Sequence, residues 1–267
     1  MTNRPLILMT NDDGIDSPGL HAAAQAVASL GDLLIVAPKT QQTGAGRSYA
    51  IQADRTVEET TVPLDGKPHV AYRAEVTPAQ AVALSVREIS KRPIDLCISG
   101  INYGENVGSG VTISGTVGAA IEAACFDIPA LAVSLETPQE FHLKHGQVDF
   151  SVAAHFVRYF AERVLTQGLP PRVDILKIEV PATATPETEW RSTRISRDRY
   201  YQAAPGDEGA ERIVNRFSYR PFVAPERLEH DSDIYVFAVD RLVAVSPMTI
   251  DMTAPVVLSD IPDFYKD

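Results

Sequence analysis

The chain has 267 residues, room for one large α/β domain or two small ones. With 24 basic residues against 35 acidic it carries a net charge of −11, which sets aside duplex nucleic acid and anionic membrane surfaces as main partners, since both select a basic face. A small phosphorylated ligand remains possible, because a bound metal can offset its charge locally.

In chain order, "PLILMT" (5–10) is a continuous apolar run of the kind found in a strand buried on both faces. Ser17 and Pro18 then offer an N-cap and first-turn pair, and Leu20, Ala23, Ala24, Val27 and Leu30 follow at helical spacing, with Gly31 placed to close the helix. "DLLIVAP" (32–38) reads as a second strand and "HVAYRAEV" (69–76) as another. Thr77-Pro78 caps a helix through about Val86. "IDLCISG" (94–100) is again strand-like and leads into a Gly- and Asn-rich loop. Ser114 then heads the helix "GTVGAAIEAACF" (115–126), and "PALAVSL" (129–135) follows as a strand. A helix near 149–167 and the strand "VDILKIEVP" (173–181) complete an alternation that implies a doubly wound, mostly parallel sheet with helices on both faces.

Beyond Pro181 the character changes. "STRISRDRYYQ" (192–202) and "RIVNRFSYRPF" (212–222) read as a hairpin-like excursion across the polar "AAPGDEGAE", and 231–248 as two short β runs. The expectation is a single three-layer, Rossmann-like domain over 1–267, with an α/β core at 1–181 and a β-rich appendage at 182–267. An appendage without its own core implies an oligomer. Cys97 and Cys125 lie in apolar segments with no CxxC spacing and are expected to be buried thiols. The N-terminus lacks a signal-peptide pattern and no run approaches the roughly 18 apolar residues of a membrane span, so a cytoplasmic chain is expected.

Ligands of open parallel sheets bind beyond the carboxyl ends of the strands. Three polar clusters fall there: "TNDDG", "APKTQQTGAGRS" and "SGINYGENVGSGVTISGT". Adjacent carboxylates behind a buried strand repel each other and resist desolvation, unless a cation offsets them. Asp12, Asp13, the Thr43 hydroxyl and the Asn102 amide form an oxygen-only donor set suited to one hard divalent ion, Mg²⁺ or Mn²⁺; the absence of His and Cys from the clusters argues against Zn²⁺. Ser114, Gly115 and Thr116 stand at a predicted helix start, where free N–H groups favour an anion, although Ser114 can be a cap as well. His142 and His145 read as solvated loop residues. "RISRDRYY" (194–201) is read either as approaching a nucleotide or as an exposed strand or subunit contact.

"NDDGIDSPGL", "VAPKTQQTGAG", "SGINYGEN", "SGTVGAAIEA", "PALAVSL" and "SPMTIDMT" resemble, in order, the blocks of the SurE survival-protein family over about residues 6 to 253. The resemblance implies a metal-dependent nucleotidase that hydrolyses nucleoside 5′- or 3′-monophosphates. It places metal ligands at Asp12, Asp13, Thr43 and Asn102, with Asp12, Asp13 and Asn102 as the catalytic set. Asn11, Gly44, Asn106, Ser114, Gly115 and Thr116 fall to the phosphate. It also implies a homodimer or homotetramer with exchanged C-terminal elements. Lys39, where the family commonly has Asp, adds positive charge near the anion site. Rival readings are a non-catalytic nucleotide-binding protein and a metal-dependent nucleotide-sugar transferase. Covalent aspartyl-phosphate chemistry fits less well, because the acids are adjacent rather than spaced D-x-D.

Overall fold

The structure, a computed structural model, describes residues 4–49, 56–142, 144–203 and 219–254. Its centre is a nine-stranded sheet. The strands are β1 (Leu6–Thr10), β2 (Asp32–Pro38), β3 (Val57–Leu64), β4 (Lys67–Ala74), β5 (Leu96–Tyr103), β6 (Ala130–Leu135), β7 (Ile175–Val180), β8 (Trp190–Ser192) and β11 (Val243–Met248). Their spatial order is β3-β4-β2-β1-β5-β6-β7-β11-β8. β4 through β7 in that order are parallel, while β3 and β11 run antiparallel to their inner neighbours. Strand order reverses between β1 and β5, so the carboxyl ends of these two strands flank the crevice where such sheets take ligands.

Side-chain alternation divides the core. Ile7 and Met9 of β1 face one side with α1 (Pro18–Val27) and α4 (Ser151–Gln167), where Leu20, Val27, Phe156 and Phe160 pack. Leu6 and Leu8 face the other, with α2 (Pro78–Leu84) and α3 (Gly115–Ala124), whose Ala119, Ala120 and Ala123 bring α3 close to the sheet. Burial of these apolar faces is the main force holding the layers together. Thr77 caps α2 as expected, its side chain accepting from Gln80 N in a capping box.

Several local expectations need correction. Ser17 precedes α1, but its side chain makes no capping bond and its hydroxyl is buried without a partner. Gly31 does not close α1, which ends at Val27 with Ala28 as its C-cap. Cys97 is buried, whereas Cys125 is exposed because it falls just past the last turn of α3. β5 does not stop at Gly100; after a register shift it runs to Tyr103. β3 is not among the strands expected from the sequence, although Asp65-Gly66 between two β-rich runs is a hairpin signal; both residues have the positive φ that its turn demands, 49° and 71°. Of the two β runs expected at 231–248, only β11 forms. Tyr235–Val239 is a helical turn, started where Tyr235 N donates to Ser232 Oγ.

The C-terminal part is not separate from the sheet, because β11 pairs with β7 and β8 pairs with β11. β9 (Tyr201–Ala203) and β10 (Tyr219–Pro221) form the expected antiparallel excursion. The segment between them (204–218) and the end of the appendage (255–267) lie outside the described residues. Among the described residues no helix is long and apolar enough to cross a membrane.

Candidate active site

A cavity of about 780 Å³ opens at the carboxyl ends of β1 and β5. Asp12, Thr43, Gly44, Asn102, Asn106 and Ser114 line it. Asn11, Asp13, Gly115 and Thr116 are absent from that lining and form the layer behind it. The structure therefore gathers the three sequence clusters at one place and sorts them into two depths.

Asp12 and Asp13 follow directly on β1 and are 4% and 3% exposed. Thr116 Oγ1 donates to Asp12 Oδ1 at 2.6 Å, and backbone N–H groups of Gly115 and Thr116 also reach this carboxylate. The anion at the start of α3 is thus Asp12 itself. A Cβ on Gly115 would stand 2.7 Å from Asp12 Cβ and 2.8 Å from Oδ2, so only glycine permits the approach. Asp13 takes Tyr103 N at 3.1 Å and Gln41 Nε2 at 3.0 Å. Asn11 spends its amide on the turn, donating to Gly14 O at 3.0 Å and accepting from Gly14 N at 3.2 Å.

Burial pushes the Asp12 carboxyl above the ordinary aspartate value, against the opposing pull of the Thr116 hydrogen bond. Burial, then repulsion from Asp12, pushes Asp13 up to about 8. Among the described residues no Lys, Arg or His forms an ion pair with either acid. Two unpaired buried carboxylates fit a cation as counter-charge. Asn102 donates both amide protons to carbonyls, to Tyr103 O at 3.3 Å and Gly104 O at 2.6 Å, which leaves its Oδ1 to face a ligand. Thr43 is exposed and brings a hydroxyl to the same cavity. Among the described residues no group of three or more His, Cys, Asp or Glu gathers as a metal centre, so the donor set that fits is the mixed carboxylate, amide and hydroxyl one, suited to a hard ion.

Ser114 is both cap and wall: its Oγ accepts from Val117 N at 3.1 Å, and the hydroxyl proton remains to donate into the cavity. Asn106 Nδ2 donates to Ser134 Oγ at 3.0 Å, which uses one of its two amide protons.

Other wall residues were given a different place by the sequence, or none. His142 is buried rather than solvated, shares a ring stack with Tyr219 and lines the cavity; His145 is exposed and stacks on Tyr103. Burial lowers the pKa of His142. The "RISRDRYY" stretch resolves toward the cavity, where Arg197, Arg199, Tyr200 and Tyr201 all stand. Glu105 accepts from Tyr201 Oη at 2.5 Å, and burial pushes it up to about 7. Its only sequence signal was its place within "SGINYGEN". Lys39 turns away, exposed and paired with Glu58 at 3.3 Å and Glu75 at 3.4 Å, so it lends no charge to the cavity.

Comparisons with known proteins bear on the family and the fold. The family model for survival protein SurE matches residues 7–202. The chain is 41% identical over 259 residues to a protein of Thermococcus kodakarensis named 5'-nucleotidase SurE, covering 96% of each. It is 40% identical over 251 residues to the 5'-nucleotidase SurE of Thermococcus gammatolerans, covering 94% of this chain and 92% of that one. The crystal structure of the SurE protein from Aquifex aeolicus superposes with a TM-score of 0.74 at 26% identity, over 96% of this chain and 98% of that one. With the family model matched over residues 7–202 and relatives 40–41% identical over nearly the whole chain, the chain belongs to the SurE survival-protein family.

Proposed function

We propose that the protein is a metal-dependent phosphomonoesterase that hydrolyses nucleoside 5′- or 3′-monophosphates to nucleoside and phosphate. The observation that carries this reading is a pair of adjacent buried, unpaired carboxylates, Asp12 in the wall of a cavity with oxygen donors around it and Asp13 directly behind. The names of the relatives from Thermococcus, both 5'-nucleotidases, support the substrate class.

In this reading Asp12, Asp13, Thr43 and Asn102 hold one Mg²⁺ or Mn²⁺. The ion, when bound, neutralises phosphoryl oxygens and acidifies a water. Asn106 Nδ2 and the Ser114 hydroxyl donate to the equatorial oxygens of the phosphoryl group as charge spreads over them. One of the two carboxylates accepts the proton of the attacking water. Tyr200, Tyr201, Tyr219 and His142 give the nucleoside an aromatic wall, and Arg197 and Arg199 supply cationic groups for a substrate approaching a strongly acidic protein. The chain is further proposed to act in the cytoplasm as a homodimer or homotetramer through its C-terminal segment. Exposed Trp190 on edge strand β8 and exposed Phe222 and Met252 support that assembly.

The test is phosphate release from p-nitrophenyl phosphate and a nucleotide panel, with Mg²⁺, with Mn²⁺ and with chelator. Asp12→Asn is expected to lose more than the ~10–100-fold that removal of an outer-shell partner of a metal site brings. Chelator-insensitive turnover, or near-normal turnover by Asp12→Asn, would refute the metal core. Nucleotide binding without hydrolysis would identify a binding protein, and transfer from a labelled nucleotide-sugar donor a transferase.

A further inference from the structure

Lys177 and Glu179 of β7 and Asp233 of the C-terminal segment form a charged triad with fully buried side chains. Lys177 Nζ lies 3.4 Å from Glu179 Oε1 and 3.1 Å from Asp233 Oδ2. Burial works against the lysine charge, but the two carboxylates more than offset it and hold Lys177 protonated. Buried ion pairs are weak devices for stability, because desolvation cancels much of the attraction. The partners of this triad suggest another use. Lys177 Nζ donates to Asn106 O at 3.0 Å, Glu179 Oε2 accepts from Asn106 N at 2.8 Å, and Ser134 Oγ, which takes Asn106 Nδ2 at 3.0 Å, donates to Glu179 Oε1 at 3.4 Å. Asp233 Oδ2 accepts from Gly108 N at 3.0 Å, and its Oδ1 accepts from Ser196 N at 2.9 Å. Main-chain donor, main-chain acceptor and side-chain amide of Asn106 are therefore all fixed by one network. That network also ties the loop 106–108 to the segment that carries Arg197 and Arg199.

We infer that Lys177, Glu179 and Asp233 are positioning residues: they aim the remaining amide proton of Asn106 at the phosphate and make the phosphate wall depend on docking of the C-terminal segment. The inference rests on the phosphomonoesterase reading of the cavity. Wild-type enzyme is measured first: if it shows no metal-dependent hydrolysis of p-nitrophenyl phosphate, that reading fails and the triad is not what was tested.

With active wild type, Lys177→Met is expected to weaken inhibition by inorganic phosphate about tenfold and to lower kcat/KM by a similar factor. Asn106→Ala is expected to do the same. The double variant should lose no more than either single, because the lysine acts through the asparagine. Lys177→Met leaves two carboxylates buried without their cation, so a second variant, K177M/E179Q/D233N, removes every charge of the triad. It is expected to fold, with a melting temperature near wild type, and to show the same loss of phosphate affinity. Wild-type phosphate inhibition in any folded member of the set, or losses that multiply in the Lys177–Asn106 pair, overturns the inference. Failure of every triad variant to fold assigns the triad to stability alone and overturns it equally.

Discussion

Asp13 carries the clearest consequence at the scale of single residues. Its carboxyl is raised from 3.8 to about 8 by burial and by Asp12, so without a cation the folded chain holds this proton more tightly than the unfolded chain does. The contribution of Asp13 to the stability of the metal-free protein is therefore fully present below the unfolded value and is lost as pH rises towards 8. Asp13→Asn, which imitates the protonated acid, should match wild type in chelator at acid pH. At pH 8 it should be more stable, by a few kcal/mol at most. Addition of Mg²⁺ should reverse the order, and calorimetry with and without chelator reads both. A difference between wild type and Asp13→Asn in chelator that stays flat across that pH range would contradict this. The acid pair and Asn102 were legible in the sequence because adjacent carboxylates behind a buried strand are costly without a ligand. The work of Gly115 and Thr116 was not, since a helix start that binds an anion looks the same whether the anion is a phosphate or the chain's own Asp12.

Between elements, the decisive contact is the crossing of the loop after β2 over α3. Gly46 N donates to Ile113 O at 3.0 Å, and Arg47 and Tyr49 both reach Glu122. A Cβ on Gly118 would lie 2.3 Å from Gly46 O and 2.7 Å from Arg47 N, backbone atoms that cannot swing aside. Gly118→Ala should lift this loop and move Thr43 with it, lowering kcat/KM about 10–100-fold, the scale set by a displacement near an ångström. Alanine favours the helix itself, so little change in melting temperature should accompany the loss. Unchanged kinetics would show that Thr43 is placed by something else. The parallel strands and their helices could be read from period and length, because their apolar runs are bounded by caps and glycines. Tyr235–Val239 could not, since a short apolar run rich in β-branched and aromatic residues suits strand and buried helix alike; in the fold its first turn is started by Tyr235 N and Val236 N donating to the Oγ and the carbonyl of Ser232.

For the molecule as a whole, charge and topology set the terms of function. A chain of net charge −11 repels a phosphate dianion, and Arg197 and Arg199 are the Lys or Arg side chains among the described residues lining the cavity. Replacing both by alanine should raise KM for a nucleoside monophosphate about three- to tenfold with kcat nearly unchanged, the loss shrinking as salt is added. An unaltered KM would return these arginines to the surface reading that the sequence also allowed. The sheet adds a consequence in time. β8 reaches the sheet only through β11, some fifty residues later in the chain, and Asp233 arrives just ahead of β11. A chain emerging from the ribosome therefore carries its acid pair and its phosphate loop long before the segment that braces that loop. On that schedule hydrolytic competence is among the last properties the nascent protein acquires, and chains released early are born without it.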